Sequence, residues 1–539
     1  MMSSKISRAE WVIAVFISLA AVGLHFFSLT HAGGLWRDEV AITNISRLPT
    51  LGQVWQALPH DHCPIVFPLL VRLWSVSGFG ATDEGLRVLG LGIGLLLLAS
   101  FWIASRMMGK GLPLLSLALA GLNFTIIRYG DSLRAYGLAT ACLLLAMALI
   151  WDFIEAPNPR RGLMAGLAAV LCVQVLYQNA FFVLGIGMAG AAVCFRRSQY
   201  RIALAVLSFG AVAALSLLPY LSPIAHAQSW WLVNKTGIDW AIFLNRIARA
   251  TGILAPVWLG LPIVAVLAGT ACFLTRFLRK ETDIRQDLIL FASIALAIGL
   301  IAFGIFIKQT ALPTAVWHYI PAMGFIVVCC DAILPRIHRH APLVVLVAAV
   351  VTGSLAFSVA GPNLKLRQTN GDLVAALVSQ QAGPDDLIIV HPWYYGLTFA
   401  HNYRGTTPWM TLPPLADYRF HRYDLLKEAM QETNAIEPAF ERVTTTLASG
   451  HQVWLVGQLP IPQSEEPPAG LPPAPYGPYG WADGPYSYVW GTQLSYFLLH
   501  HITNAALLVV TSTNLTNPLE DMILVRTSGW RSSTEINPP

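Results

Sequence analysis

Charge is what this sequence has least of. Asp, Glu, Lys and Arg make up 12% of its 539 residues, about half the roughly 25% of an ordinary soluble domain. That scarcity, with 55% hydrophobic residues, excludes a single water-soluble globule and an intrinsically disordered chain. Cysteine is sparse too. Cys142, Cys172, Cys194, Cys272, Cys329 and Cys330 fall in long apolar runs, where a thiol acts as a small apolar side chain. Only Cys63 lies outside them, so no disulfide framework is available. No internal repeat is found, which counts against the duplicated halves common among secondary transporters. The net charge of +5 is small and much of the basic excess sits in short clusters between apolar runs, so no basic face for nucleic acid is expected.

What the chain has instead is a series of apolar runs near the roughly 20-residue spanning length, recurring until about Ala360 and then thinning out. The expected spans are 11–30, 88–105, 112–127, 135–154, 163–178, 181–195, 202–221, 250–275, 287–307, 313–333 and 342–360. The apolar stretch 163–195 is too long for one untilted helix and is divided at Gln178-Asn179. The first run follows Lys5 and Arg8, lacks a clear small-residue cleavage site and is followed by further spans. It reads as an uncleaved anchor rather than a signal peptide. Cys63 to Phe79 is shorter and carries Arg72, the pattern of an amphipathic or re-entrant helix. From a cytoplasmic N-terminus, the clusters at Arg106 and Lys110, Arg160 and Arg161, Arg196 to Arg201, Arg276 to Arg285, and Arg336 and Arg339 all fall on one side. This is the positive-inside arrangement of a multi-pass plasma-membrane protein. It places the loop after the first span, the turn 128–134 and the C-terminal region outside.

Two parts are expected, a membrane domain over 1–361 and an extracytoplasmic soluble domain over 362–539. The second reads as α/β. Helical spacing covers 371–381 and 423–448, and short strands are expected at 386–391, 451–456 and 521–525. Between Pro460 and Pro485 lies a run rich in Pro, Gly, Tyr and Trp. It is read as a surface loop or, through its aromatics, as an acceptor-binding lid.

Four polar motifs interrupt this pattern. Gly33-Gly34-Leu35-Trp36-Arg37-Asp38-Glu39 sits where the chain leaves the first span. Carboxylates beside hydrocarbon are solvated, paired or functional, so Asp38 and Glu39 are either partners for Arg37 or candidates for a general base. His60-Asp61-His62-Cys63-Pro64 follows. Its histidines suit structural hydrogen bonds, substrate contact or, with Glu39, a divalent metal, although the spacing is not a recognised zinc pattern. Arg128-Tyr129-Gly130-Asp131-Ser132-Leu133-Arg134-Ala135-Tyr136 places Arg128, Asp131 and Arg134 three apart, on one helix face if the helix is continuous. The cluster is either an interfacial ion-pair group that fixes the helix end or one in which Asp131 holds the arginines while the planar fork of one of them meets an anion. Lys308 ends a late span, where it can meet phosphate or snorkel, and Val316-Trp317-His318-Tyr319 follows it.

Taken in order over about residues 30–325, these motifs resemble the GT-C integral membrane glycosyltransferases, the class of protein O-mannosyltransferases and lipid A aminoarabinose transferases. The departures are specific. Cys63 precedes a single proline, Ile65-Val66-Phe67 stands where a tyrosine pair is usual, and His318-Tyr319 replaces an Arg-Tyr step. The resemblance implies a polytopic helical fold of about 11 transmembrane helices with a C-terminal α/β domain. It implies a polyprenyl-phosphate-linked monosaccharide donor, hexose or pentose, and transfer with inversion to an acceptor hydroxyl at the outer membrane face. The acceptor is left open among lipid, glycan and protein, with membrane lipids around the spans. It implies a first-loop acid, Asp38 with Glu39, as catalytic base. Substrate or phosphate contacts are expected from Arg128, Arg134, Tyr129, Tyr136, Lys308, His318, His60 and His62. Metal dependence is left open, because some relatives use a divalent ion and others do not. The rival readings are a transporter or flippase of lipid-linked sugars and a non-catalytic membrane scaffold. A transfer assay with a lipid-phosphate sugar separates them.

Overall fold

The computed structural model describes residues 2–61, 63–230, 240–278, 284–310, 314–462, 466–477 and 482–531. The chain forms two compact units. A helical unit comprises Met1–Thr30, His62–Ser222 and Thr236–Leu364, and the other comprises His31–Asp61, Pro223–Lys235 and Lys365–Pro539. The loop after the first span, expected within the membrane domain, therefore clusters with the C-terminal unit.

The protein is a polytopic helical membrane protein. Among the described residues nine helices are long and apolar enough to cross a membrane: Arg8–His31, Asp83–Met107, Ala135–Glu155, Asn179–Arg196, Tyr200–Gln228, Ala241–Leu278, Arg285–Thr310, Val316–Arg336 and Ala341–Leu364. Polar contacts sort their ends into two groups. At one end Arg197 pairs with Glu155 at 2.6 Å and Asp287 at 2.7 Å, Arg276 donates to the Arg336 carbonyl at 3.2 Å, and Arg336 donates to the Gly109 carbonyl at 3.2 Å. At the other, His25 meets Asp131 at 2.8 Å, Gln178 donates to the His318 carbonyl at 2.9 Å, and Tyr220 donates to Gln174 at 2.8 Å. Basic residues near 109, 155–161, 196–197, 276 and 336 thus gather at one end of the bundle, as the threading of the sequence requires.

The two other expected spans are shorter and less regular. The 112–127 stretch is a π-helical turn, Ser116–Gly121, a break at Asn123, and a helix Phe124–Gly130. Irregular backbone at membrane depth survives only where protein satisfies it. Here Asp331 accepts from Leu115 N at 3.0 Å and Ser116 N at 2.9 Å, and Asn123 Oδ1 accepts from Thr125 N and Ile126 N. The 163–178 stretch is the 17-residue helix Pro159–Val175, about 25 Å long at 1.5 Å per residue. Neither stretch is among the nine long apolar helices of the described residues.

Small residues let helices meet closely. A Cβ at Gly185 would lie 2.7 Å from the Gly299 backbone nitrogen, so Asn179–Arg196 and Arg285–Thr310 cross backbone to backbone. The most enclosed helices are Ala135–Glu155 and Val316–Arg336, while Tyr200–Gln228 and Ala241–Leu278 expose most of their apolar surface.

The second unit carries a five-stranded sheet. Its strands are β1 (Leu387–His391), β2 (Trp409–Thr411), β3 (Val453–Gly457), β4 (Asn504–Leu508) and β5 (Ile523–Ser528), in the order β2-β1-β3-β5-β4. β1 pairs in parallel with β2 and β3, and β5 pairs antiparallel with β3 and β4. Central β1 and β3 are buried along their whole length, which is why they read as continuous apolar runs. The helix expected over 423–448 is two helices, Tyr423–Gln431 and Glu437–Ala448. Pro438 has no N–H to continue a helix and instead opens the second one.

Candidate active site

In the second unit the polar groups gather around Asp38. The chain leaves Thr30, turns through Gly33 in the left-handed region at φ 73°, and starts the helix Arg37–Ser46. Asp38 and Glu39 stand in its first turn, where the exposed N–H groups favour acids. Their environments differ. Glu39 is fully buried and its Oε2 accepts from the Trp36 N–H at 3.3 Å, closing the helix start. Asp38 keeps 13% side-chain exposure, with Oδ1 3.2 Å from His421 Nε2 and 3.8 Å from Arg37 Nε.

Arg37 anchors this turn. Its Nη1 meets Glu520 Oε2 at 3.0 Å and the Leu519 carbonyl at 3.0 Å, and its backbone N–H donates to the same carboxylate at 3.2 Å. The guanidinium also lies over the Tyr394 ring at 4.7 Å. Glu520 is fully buried and accepts from Thr398 Oγ1 at 2.5 Å. Burial works against the Arg37 charge, but Glu520 and Asp38 outweigh it and hold the guanidinium above the ordinary arginine pKa.

His60 donates from Nδ1 to the His421 carbonyl at 3.1 Å and lies between Trp230, at 5.3 Å between ring centres, and Phe420, at 4.9 Å. Burial pushes the ring below the ordinary histidine pKa, against the pull of Asp424. His62 lies outside the described residues. Among the described residues no group of three or more His, Cys, Asp or Glu side chains is placed to hold a metal ion, and the Glu39 carboxylate is committed to its helix start.

His421, Glu520, Thr398, Asp417 and Arg422 were not singled out in the sequence. For Asp417, His421 and Arg422 the signal was the dense charged and aromatic stretch Asp417-Tyr418-Arg419-Phe420-His421-Arg422-Tyr423-Asp424; Glu520 and Thr398 lie outside it. Burial acts to raise the Asp417 pKa, but Arg419 and Arg422 overcome it and bring the carboxyl down to about 2.

The helical unit holds the remaining candidates. The helix Phe124–Gly130 ends before Asp131, residues 131–134 bend, and Ala135–Glu155 starts afresh. Arg128, Asp131 and Arg134 therefore do not share a helix face. Asp131 was expected to hold the arginines; both its oxygens lie 2.8 Å from His25 Nδ1 instead. Room for it comes from Gly94, where a Cβ would fall 1.8 Å from Asp131 Oδ1. Arg128 donates to the Asn363 carbonyl, and Arg134 is buried, 5.9 Å from the centre of the Tyr136 ring. The third and fourth motifs do come together: Tyr129 packs on Trp317 at 5.0 Å and Tyr136 meets His318 edge-on at 5.6 Å. His318 Nδ1 accepts the Ala315 N–H at 2.8 Å, so the neutral ring carries its hydrogen on Nε2. Lys308 is exposed in the last turn of Ile284–Thr310.

No protein-family profile matches the sequence, and no curated protein matches it. Solved structures do. ArnT from Cupriavidus metallidurans, solved bound to undecaprenyl phosphate, aligns over 83% of this chain and 92% of its own, at 14% identity and a TM-score of 0.50. The same protein in the apo state aligns over 84% and 93%, at 13% identity and a TM-score of 0.51. These likenesses show a GT-C fold in this chain.

Proposed function

We propose that this protein transfers a monosaccharide from a polyprenyl-phosphate donor to an acceptor hydroxyl, with inversion, at the outer face of the plasma membrane. The observation that carries the reading is Asp38, a partly open carboxylate on the turn directly after the first membrane helix of a GT-C fold. The shared fold adds support, since ArnT of Cupriavidus metallidurans was solved with undecaprenyl phosphate bound.

The chemistry balances without a further reactant. Asp38 takes the proton of the acceptor hydroxyl as its oxygen attacks the anomeric carbon. The bond from that carbon to the phosphate oxygen breaks, and its electron pair leaves with the polyprenyl phosphate. Phosphate is a good leaving group, so a strong general acid is not needed. Glu39 is buried in its helix cap, which leaves Asp38 as the base we assign. For the phosphate we assign Arg134 and Arg128, whose guanidinium forks match phosphate oxygens.

The test is release of polyprenyl phosphate from a set of polyprenyl-phosphate hexoses and pentoses by the purified full chain, with water or an added hydroxyl compound as acceptor. Asp38→Asn keeps size and removes basicity, and turnover should fall by roughly 10² or more with donor binding kept. Near-normal turnover in this variant removes Asp38 from the role.

A further inference from the structure

Asp38 is not held by its own helix alone. The segment 417–421 of the C-terminal unit lies along the Arg37–Ser46 helix and is fixed at successive points. Asn44 Nδ2 donates to the Arg419 carbonyl at 2.7 Å, and His60 donates to the His421 carbonyl at 3.1 Å. Asp417 accepts from the Arg419 N–H at 3.0 Å and from Arg422 Nη1 at 2.8 Å. The His421 ring is stacked on Tyr423 at 5.9 Å and set edge-on to Trp393 at 6.3 Å. Every one of these contacts restricts where one ring can point, and it points at Asp38.

The chemistry of the pair fixes the proton. An ionised carboxylate only accepts, so Nε2 carries the hydrogen and donates to Oδ1 across 3.2 Å. Nδ1 is then the bare nitrogen. It is buried and meets no hydrogen-bond partner among the described residues. A second proton there would create a buried N–H with nothing to receive it, which is costly.

Resting on the assignment of Asp38 as base, we propose that His421 is its positioning residue: it holds the carboxylate by Nε2–H donated to Oδ1. A residue 383 positions along the chain thereby contributes a side chain to the reaction without touching the reacting atoms. The other groups around the pair are Arg37 beside Asp38, Glu520 behind Arg37, and Tyr423 and Trp393 on the ring, with His60 and Asp424 beyond the His421 carbonyl.

The test compares wild type, Asp38→Asn, His421→Phe and His421→Gln in the full chain, with polyprenyl phosphate release from polyprenyl-phosphate hexoses and pentoses as readout. Loss of one hydrogen bond to a charged group predicts a fall in kcat of roughly 10- to 100-fold in His421→Phe, with donor KM little changed. The same loss removes a donor that favours the anion, so the acid limb of the rate profile should move to higher pH. His421→Gln supplies an N–H near the Nε2 position and should recover most of the rate and the original acid limb. Normal turnover in His421→Phe, with Asp38→Asn inactive, overturns the role of His421 and leaves Asp38 in place. Equal unfolding of both His421 variants, with no rescue by Gln, assigns the residue to structure alone and overturns it as well. If wild type releases polyprenyl phosphate from none of these donors, the transferase reading falls, and the role of His421 falls with it.

Discussion

Arg37 and Glu520 show how strongly single residues are committed in this protein. Glu520 is fully buried, and its oxygens accept from the Arg37 guanidinium, the Arg37 N–H and the Thr398 hydroxyl. Removing one partner of such a pair leaves a buried charge without compensation, at a cost of about 3–5 kcal/mol. Glu520→Ala should therefore lower the unfolding free energy of the purified protein by about that amount. Its effect on transfer should follow from the loosened Arg37–Ser46 helix. A loss below about 1 kcal/mol, the scale of a surface pair, would show that burial of Arg37 needs no anion. The pairing of two neighbours, Asp38 and Glu39, shows why adjacency in sequence says little about role. Helix periodicity turns one into the protein to close the cap and leaves the other against His421.

At the scale of elements, the junction between Phe124–Gly130 and Ala135–Glu155 carries the phosphate assignment. Arg134 precedes the first turn of the second helix, and its charge lies beside Tyr136, which in turn packs on His318. Arg134→Ala should weaken stabilisation by polyprenyl phosphate by roughly one to two orders of magnitude in apparent affinity, read from ligand-dependent thermal unfolding. Arg134→Lys should restore only part, since an ammonium does not reproduce the guanidinium fork. If the ligand stabilises wild type and Arg134→Ala alike, the assignment passes to Lys308. Loss of stability without ligand instead marks the arginine as a packing element.

Much of this architecture was legible in the sequence. The helix at 371–381, and strands close to 386–391, 451–456 and 521–525, follow directly from apolar spacing. What stayed hidden had physical causes. Edge strand β4 is largely exposed, so no buried alternation marks it, and β2 has only three residues. The break between Gln431 and Glu437 lies inside a stretch whose helical period continues on both sides. His25, buried in an apolar helix, gave no sign that it would take Asp131 from the arginines. The Asp38 turn was visible as an acid pair after a span, while His421 was 383 residues away, and no local pattern connects positions so distant.

For the whole molecule, the helical unit gathers basic residues at one end, and the odd number of spans expected from the sequence would put the two chain ends on opposite sides. Lys and Arg clusters are retained on the cytoplasmic side during insertion. A reporter active only outside the cytoplasm, fused after Pro539, should therefore be active. Activity confined to a cytoplasmic reporter at the same position would require an even number of crossings.

The pairing of Arg37 with Glu520 also has a meaning in time. The two residues are 483 positions apart. At about 5–20 residues per second of synthesis, Arg37 leaves the ribosome roughly 25–100 s before its anion exists. Throughout that interval the Arg37–Ser46 helix lacks Glu520 behind it, and for most of it lacks His421 against Asp38. A chain interrupted between residues 365 and 420 has all its membrane helices but no His421 against Asp38. On the proposed reading, full competence to transfer sugar is then a late property of the growing chain, and an unfinished copy in the membrane turns over slowly.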